Sequence, residues 1–318
     1  MRAGGQSLPS AGYLTGHDPD NGTSSRRSTR LTWVVGGLRF GAEADEPIHL
    51  PTPYRSFLTA PGVDHPLVSI EVGDPTTPSA DERPVVRGRV WRMTRTPTTW
   101  IVRVDADGRP FVRGEFDASF ESGIVTAAPD YAERARREVA ALPFPFDYPL
   151  GEVAVVGRIG CLDGALLAHA CGVLVAGGVH LFLGQSGAGK TTTARLWESV
   201  PGATVLSDDR IVLREAAGTW MAHGTPWHGD ARLASPLGAP VAGLHLLEHG
   251  PRPEHLSLSA PDALAELFRV SFQPFWDPAG TGRTLAALAR LLAVHPCRRF
   301  RFPPTAAAVE HVLALSRS

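Results

Sequence analysis

The chain has 318 residues, 43% of them hydrophobic, which is enough to bury the core of one large domain or two modest ones. Its formal net charge is -1 and its pI is about 6.9, so the basic surface that nucleic acids or acidic membranes attract is not expected. There is no apolar run of membrane-spanning length and no apolar signal-peptide core at the N-terminus, and the three cysteines lack metal-ligand spacing. We therefore expect a cytoplasmic protein with reduced thiols and no nucleic-acid or membrane partner.

The first 30 residues are rich in Gly, Ser, Asp and Arg and lack apolar periodicity. Because such a segment cannot offset the entropy lost on ordering, residues 1–30 are predicted to be a disordered tail. From residue 31 to residue 149, short β-type runs alternate with Gly and Pro, and residues 105–108 have a hairpin-turn composition. We predict a small antiparallel β domain here, joined to the rest of the chain by a surface helix at residues 130–142.

From residue 150 to residue 318, strand and helix patterns follow one another, which predicts an α/β domain with a mixed sheet. The runs VAVVGRI and GVLVAGGVHLFLG are predicted strands, and GALLAHA between them has a helix-like composition. Four later segments are predicted helices, at residues 191–200, 262–270, 283–294 and 305–315.

Residues 184–191, GQSGAGKT, match the phosphate-loop pattern G-x-x-x-x-G-K-[ST] at every position and follow an apolar strand. The glycines allow backbone conformations that aim successive N–H groups into one concavity, and the helix that follows adds its positive N-terminal end. The predicted nucleotide contacts are Gly184, Gln185, Ser186, Gly187, Ala188, Gly189, Lys190, Thr191 and Thr192. Lys190 is the only lysine among 31 Lys and Arg residues, and its compact ammonium suits the β- and γ-phosphates.

A pair of carboxylates, Asp208 and Asp209, ends the predicted strand ATVLS, 18 residues after Lys190. This is the arrangement of a Walker B-like element, in which one aspartate can hold Mg²⁺ and the other can face a substrate hydroxyl. A charged turn at a strand end is the alternative. His169 lies 15 residues before the first loop glycine and is as readily a core or capping residue as a catalytic one.

Three further patterns have ordinary explanations. Residues 224–230, GTPWHGD, suit the wall of a binding site, but turn chemistry explains them equally well. Arg283, at the start of a predicted helix, is a candidate charge stabiliser or a solvated helix residue. The run HLLEH at residues 245–249 matches a zinc-protease pattern that requires a helix, whereas this run resembles a strand end, so no zinc is predicted.

Taken together, His169, GQSGAGKT and LSDDRIVL make residues 150–318 resemble the HPr kinase/phosphorylase and phosphoenolpyruvate carboxykinase-like superfamily, in particular its compact HPr serine kinase-related members. The resemblance implies a P-loop-containing α/β fold with a mixed sheet, preceded here by a β-rich domain that is a candidate for acceptor recognition. HPr kinases usually have Ser-Glu where this chain has Thr191 and Thr192. Carboxykinases use a second lysine as a metal ligand, and its absence here argues against decarboxylation chemistry.

The resemblance implies an ATP-dependent or GTP-dependent, Mg²⁺-requiring kinase that transfers the γ-phosphoryl group to a hydroxyl. A serine of a peptide or small protein is the favoured acceptor, since similar small kinases modify peptide natural products such as lasso-peptide precursors. Asp209 would orient the hydroxyl and accept its proton, His169 would assist beside the phosphoryl group, and Lys190 would hold the phosphates. Thr191 and Asp208 would hold Mg²⁺. A small-molecule hydroxyl as acceptor, a nucleotide-binding regulatory or scaffold protein that transfers nothing, and assembly into a homo-oligomer stay open.

Overall fold

The computed structural model describes residues 29–45, 48, 50–60, 68–88, 90–106, 109–131, 144–146 and 149–315. Residues 1–28 of the predicted tail, residues 132–142 of the predicted surface helix and residues 107–108 of the predicted turn lie outside the described residues. The described part is a mixed α/β structure with two large mixed sheets and few helices. None of its helices combines the length and the apolar character needed to cross a membrane.

The first sheet is built from residues of the N-terminal half. Its strands are β1 Thr29–Val35, β2 Leu38–Ala44, β3 Leu58–Thr59, β4 Val68–Val72, β5 Arg83–Arg87, β6 Trp91–Arg95, β7 Thr99–Ala106, β8 Arg109–Asp117 and β9 Gly123–Ala127. They pair in the order β3-β1-β2-β4-β9-β8-β7-β6-β5, and a 3-10 helix, Thr52–Phe57, precedes β3. The predicted β-rich character is observed, but the purely antiparallel arrangement is wrong, because β4 lies parallel to both β2 and β9.

The second sheet is organised around one long strand, β10. Its strands are β10 Ala165–Val175, β11 Gly178–Leu183, β12 Thr204–Ser207, β13 Arg210–Ala216, β14 Thr219–His223, β15 Gly238–His249, β16 Glu254–Ser257, β17 Ser271–Phe272 and β18 Cys297–Phe302. The order is β11-β10-β13-β14-β15-β18-β16, with β12 and β17 also paired to β10. A parallel pairing of β11 with β15 closes part of this path into a ring.

The helices are α1 Leu150–Gly160, α2 Lys190–Glu198, α3 Ala260–Arg269, α4 Pro278–Val294 and α5 Ala306–Leu315. The last four confirm the predicted helices, with bounds shifted by a few residues. Two predictions are wrong: VAVVGRI is part of α1 rather than a strand, and GALLAHA lies in strand β10 rather than a helix. Both segments are buried almost throughout, so neither displays the polar face from which the period of an element is read.

One hydrophobic core crosses the predicted domain boundary at residue 149. It joins Trp33 and Phe116 of the first sheet to Val153 of α1 and Val212 of β13. A Cβ on Gly157 of α1 would approach the ring atoms of Phe120 within 2.6 Å, so the helix packs very closely on the chain that follows β8. Helix α1 therefore brings residues of the first sheet close to the centre of the second.

Candidate active site

The predicted phosphate-binding loop follows a strand and precedes a helix, as the motif requires. Strand β11 is buried, and the loop occupies the turn between Leu183 and the first residue of α2. A Cβ on Gly184 would lie 2.5 Å from the Cβ of Ala188, so only glycine fits there. Gly187 and Gly189 have φ angles of 85° and 105°, in the left-handed region that disfavours other residues. Glycine is therefore needed at all three positions for this loop shape.

The loop is supported on its inner side and open on its outer side. Thr193 donates its hydroxyl to the carbonyl of Gly189 at 2.9 Å, and His249 Nε2 donates to the carbonyl of Gly187 at 3.3 Å. Gln185, Ser186, Gly187 and Thr192 are exposed, whereas Ala188, Gly189 and Thr191 are half-buried. The N–H groups in the first turn of a helix have no intrahelical acceptor, so the entrance to α2 is suited to an anion.

Lys190 is 6% exposed and turns back over the loop. Its Nζ donates to the carbonyl of Gly184 at 2.8 Å and to that of Gln185 at 2.9 Å, which leaves one of its three hydrogens for another acceptor. Burial lowers the pKa of Lys190, and the carboxylate of Asp209 is the strongest of the charges that oppose this effect. The ammonium and the Asp209 carboxylate thus lie close enough to influence each other's charge.

Strand β10 brings the separate motifs together. In its register, His169 faces Arg210 of β13, and Ala170 faces Leu183, the last residue of β11. The amide of Gly184 lies 3.4 Å from the carbonyl of His169, so the backbone of one strand joins the loop to the aspartate segment. The sequence placed His169 at a helix end, but its position at the centre of the sheet is what makes this convergence possible.

The side chains of His169 and Asp209 form a pair. His169 Nε2 lies 2.8 Å from Asp209 Oδ1. Burial opposes ionisation of Asp209, but the His169 hydrogen bond and the positive charge of Arg210 outweigh burial, so the pKa of this carboxyl lies below its usual value. An ionised carboxylate only accepts hydrogen bonds, so the proton of this bond belongs to Nε2 of His169. The predicted catalytic residues His169, Lys190 and Asp209 are therefore brought together.

Arg210 and Glu152 extend this pair, and sequence reasoning missed both. Arg210 contacts the carboxylate of Asp209, and its guanidinium lies 5.0 Å from the ring centre of Phe272. Its Nη2 is 2.6 Å from Glu152 Oε2, so the two charged groups form a close ion pair. Burial raises the pKa of Glu152 despite the nearby guanidinium. Glu152 directly precedes the run VAVVGRI, which the sequence analysis assigned to a strand.

Asp208 has a different environment from Asp209. It is 1% exposed, and its two oxygens accept hydrogen bonds from the backbone N–H groups of Gly229 and Ala231, both at 2.8 Å. Within the described residues, Asp208 makes no hydrogen bond to Thr191. Residues 224–230, predicted as a binding-site wall or an ordinary turn, thus enclose this carboxylate. The role of Asp208 as a metal ligand stays a prediction.

The donor set fits a nucleotide phosphate and, in part, Mg²⁺. The glycine cradle excludes a Cβ at Gly184, and the buried ammonium of Lys190 retains a free hydrogen. Mg²⁺ prefers oxygen ligands and usually binds through one or two carboxylates together with substrate phosphates. Thr191 offers a hydroxyl oxygen and Asp208 is the predicted carboxylate, while no cluster of three metal-binding side chains occurs among residues that the structure describes.

Two other candidates lie elsewhere. Arg283 donates Nε to the carbonyl of Gly160 at 2.6 Å and pairs with Asp277, so it joins the end of α1 to the start of α4. His245 lies in strand β15, as predicted, rather than on a helix.

His245 belongs to a chain of four histidines outside the loop. The contacts run from His180 Nδ1 to His245 Nε2 at 3.0 Å, from His245 Nδ1 to His255 Nε2 at 2.8 Å, and from His255 Nδ1 to His311 Nε2 at 3.0 Å. Burial lowers the pKa of His180, His245 and His255. Burial therefore favours the neutral form of these three histidines, and N–H to N hydrogen bonds join the four rings.

No protein-family model matches this chain, and a search of curated proteins found no match. The functional assignment therefore depends on the residues described above.

Proposed function

We propose that this protein is a phosphotransferase that transfers the γ-phosphoryl group of ATP or GTP to a hydroxyl, with serine in a peptide or small protein as the favoured acceptor. The proposal includes an HPr kinase-like, P-loop fold for residues 150–318. The observation that carries it is the 2.8 Å contact between His169 and Asp209, beside a glycine loop that ends in a buried lysine. A loop that only bound phosphate would need no carboxylate oriented in this way.

The loop would hold the triphosphate through its N–H groups, the N-terminal end of α2 and the remaining hydrogen of Lys190. Mg²⁺, when bound, would neutralise charge on the β- and γ-phosphates, with the Thr191 hydroxyl and the Asp208 carboxylate as protein ligands. The ammonium would stay protonated, because the arriving negative charges raise its pKa and counteract the effect of burial.

Asp209 would orient the acceptor hydroxyl and take its proton. Its lowered pKa makes it a weak base, but proton removal is needed late in a loose phosphoryl-transfer transition state, so orientation matters more than basicity. His169 would keep Nε2–H on one carboxylate oxygen and thereby fix the direction of the other lone pairs.

The test measures Mg²⁺-dependent ATP binding and the transfer of γ-labelled phosphate to a library of serine-containing peptides. Asp209→Asn should lower transfer by about 10²–10⁴-fold while nucleotide affinity changes only a few-fold. Asp163→Asn, which removes an exposed carboxylate just before β10, is the matched control and should behave as wild type. Tight ATP binding without transfer to any acceptor would favour the regulatory or scaffold alternative.

A further inference from the structure

A cavity of 220 Å³ lies between the first sheet and the second. Its apolar walls are the side chains of Trp91 from β6, Val153 and Val156 from α1, and Phe272, Phe275 and Trp276 from the segment that follows α3. Phe275 is 58% exposed at the rim, which is unusual for an aromatic ring on a protein surface. Both halves of the chain thus contribute to one small aromatic cavity.

Two buried polar atoms of residues that line this cavity lack hydrogen-bond partners within the described part of the chain. They are Gln273 Oε1 and Trp276 Nε1. Trp276 itself is only 9% exposed. Buried polar atoms in native structures are nearly always hydrogen-bonded, so two unpartnered ones at one cavity favour a ligand that carries polar groups beside an apolar one.

The cavity adjoins the proposed reaction centre. The ring of Phe272, one of its walls, lies 5.7 Å from the ring of His169 between centroids. Glu152, another lining residue, pairs with Arg210, which in turn contacts Asp209. A ligand in the cavity would therefore be separated from the catalytic carboxylate by a single layer of side chains.

We propose that this cavity binds an aromatic side chain of the peptide acceptor and so selects serines that have an aromatic residue nearby in sequence. This inference rests on the proposed function. Pockets for drug-sized ligands measure about 300–1,000 Å³, which is larger than this cavity, whereas a cavity of roughly 150 Å³ takes up benzene. The volume therefore fits one aromatic ring rather than a whole metabolite.

The polar atoms match a peptide backbone. Gln273 Oε1 would accept from a backbone N–H group beside the aromatic residue, and Trp276 Nε1 would donate to a backbone carbonyl. Because an extended chain advances about 3.3 Å per residue, the aromatic residue would lie about one to three positions from the serine.

The first test uses the intact protein and two small probes, N-acetylphenylalaninamide and N-acetylalaninamide, with binding followed by ligand-observed NMR. The phenylalanine probe should bind and the alanine probe should not. Phe275→Ala and Gln273→Leu should each weaken binding about three- to tenfold, since each removes one wall or one acceptor at little cost to the core. Leu237→Ala, at a 48% exposed apolar residue that does not line this cavity, is the control.

The second test compares kcat/KM for serine peptides that carry Phe or Ala at each of the three positions on either side of the serine. The Phe peptides should be preferred at least tenfold, and Phe275→Ala should abolish that preference without changing ATP affinity. Equal transfer to both sets, or equal binding of both probes, overturns the aromatic subsite and leaves the kinase proposal intact. Binding of the phenylalanine probe without transfer to any peptide overturns the kinase proposal and leaves the aromatic-binding cavity.

Discussion

Asp208 provides a sharp test of how the two adjacent aspartates differ. Its carboxylate is almost fully buried and receives one backbone N–H on each oxygen, from Gly229 and Ala231. Asp208→Asn replaces one of these oxygens by an amide nitrogen, which then faces a backbone donor. One charge-assisted hydrogen bond is lost, and a buried N–H is left without an acceptor.

The expected loss of stability follows from these contacts. Hydrogen bonds to charged groups contribute about 1.5–3 kcal/mol, and an unsatisfied buried donor is destabilising by about 1–3 kcal/mol. Relief from burying a charge offsets part of this sum, so we expect Asp208→Asn to reduce the free energy of unfolding by about 2–4 kcal/mol. Asp209→Asn should reduce it by about 1 kcal/mol, because its Arg210 partner keeps Glu152.

The assay is urea unfolding at pH 7, compared with Mg²⁺-dependent ATP binding for the same variants. Gly229→Ala provides an independent check, because its Cβ would lie 2.7 Å from Asp208 Oδ2 and must displace the carboxylate or the loop. It should therefore destabilise the protein in the same direction as Asp208→Asn. If Asp208→Asn unfolds within 0.5 kcal/mol of wild type but loses Mg²⁺-dependent binding, the carboxylate is a metal ligand and the structural role inferred here is wrong.

Three further outcomes are expected. Lys190→Ala should abolish phosphoryl transfer and weaken ATP binding in calorimetry, and Lys190→Arg should transfer nearly as slowly because a planar guanidinium does not fit the site of the ammonium. Near-normal turnover by Lys190→Arg would contradict a working phosphate-binding loop. Glu82→Gln should reduce the free energy of unfolding in urea by about 3 kcal/mol, because it leaves the 5% exposed Arg103 without its charge partner. Glu121→Gln, which breaks the more exposed ion pair with Arg158, should change this free energy by less than about 1 kcal/mol, and equal effects of the two variants would refute the reasoning. Burial lowers the pKa of His255 from 6.5 to about 4, so the unfolded chain takes up that proton first and stability should fall by about 2 kcal/mol as pH drops from 7 to 5. His255→Phe should reduce that slope in urea unfolding between pH 7 and pH 5, and an unchanged slope would exclude this source.

The fold could be predicted from sequence wherever an element had a polar face or a strong boundary. Helix α2, which begins at the end of the glycine loop, is an example. The start of helix α4 was predicted five residues too late, at residue 283, because the cap at Asp277, whose carboxylate accepts from the N–H groups of Ala279 and Gly280, was not used. Helix α1 and strand β10 were exchanged, because both are buried on nearly all sides. Only the pairing of β10 with four other strands decides that its Ala- and Leu-rich run is extended, and that information is not local.

The residues of the candidate site likewise include some that local sequence predicts and others that only tertiary packing brings into place. Lys190 and the loop glycines are set by local backbone geometry, so a short motif was sufficient to place them. The hydrogen-bond partners of Asp208 and the histidine partner of Asp209 come from distant segments, and sequence alone predicted only that the two aspartates would have different roles. Glu152 and Trp276 reach the site only through the packing of α1 and of the loop after α3, so no local sequence pattern indicated them.

The arrangement of charge explains why a chain that otherwise uses arginine has one lysine. Arg210 lies between two carboxylates, those of Asp209 and Glu152, and a planar guanidinium can address both at once. Lys190 instead occupies a narrow site over two carbonyls, where only a compact ammonium fits and where one hydrogen must stay available. Burial of Asp209 is outweighed by the His169 hydrogen bond and by the positive charges of Arg210 and Lys190, so the pKa of the Asp209 carboxyl lies below its usual value. An ionised carboxylate suits the proposed task of orienting a hydroxyl, in which His169 would fix the direction of the carboxylate.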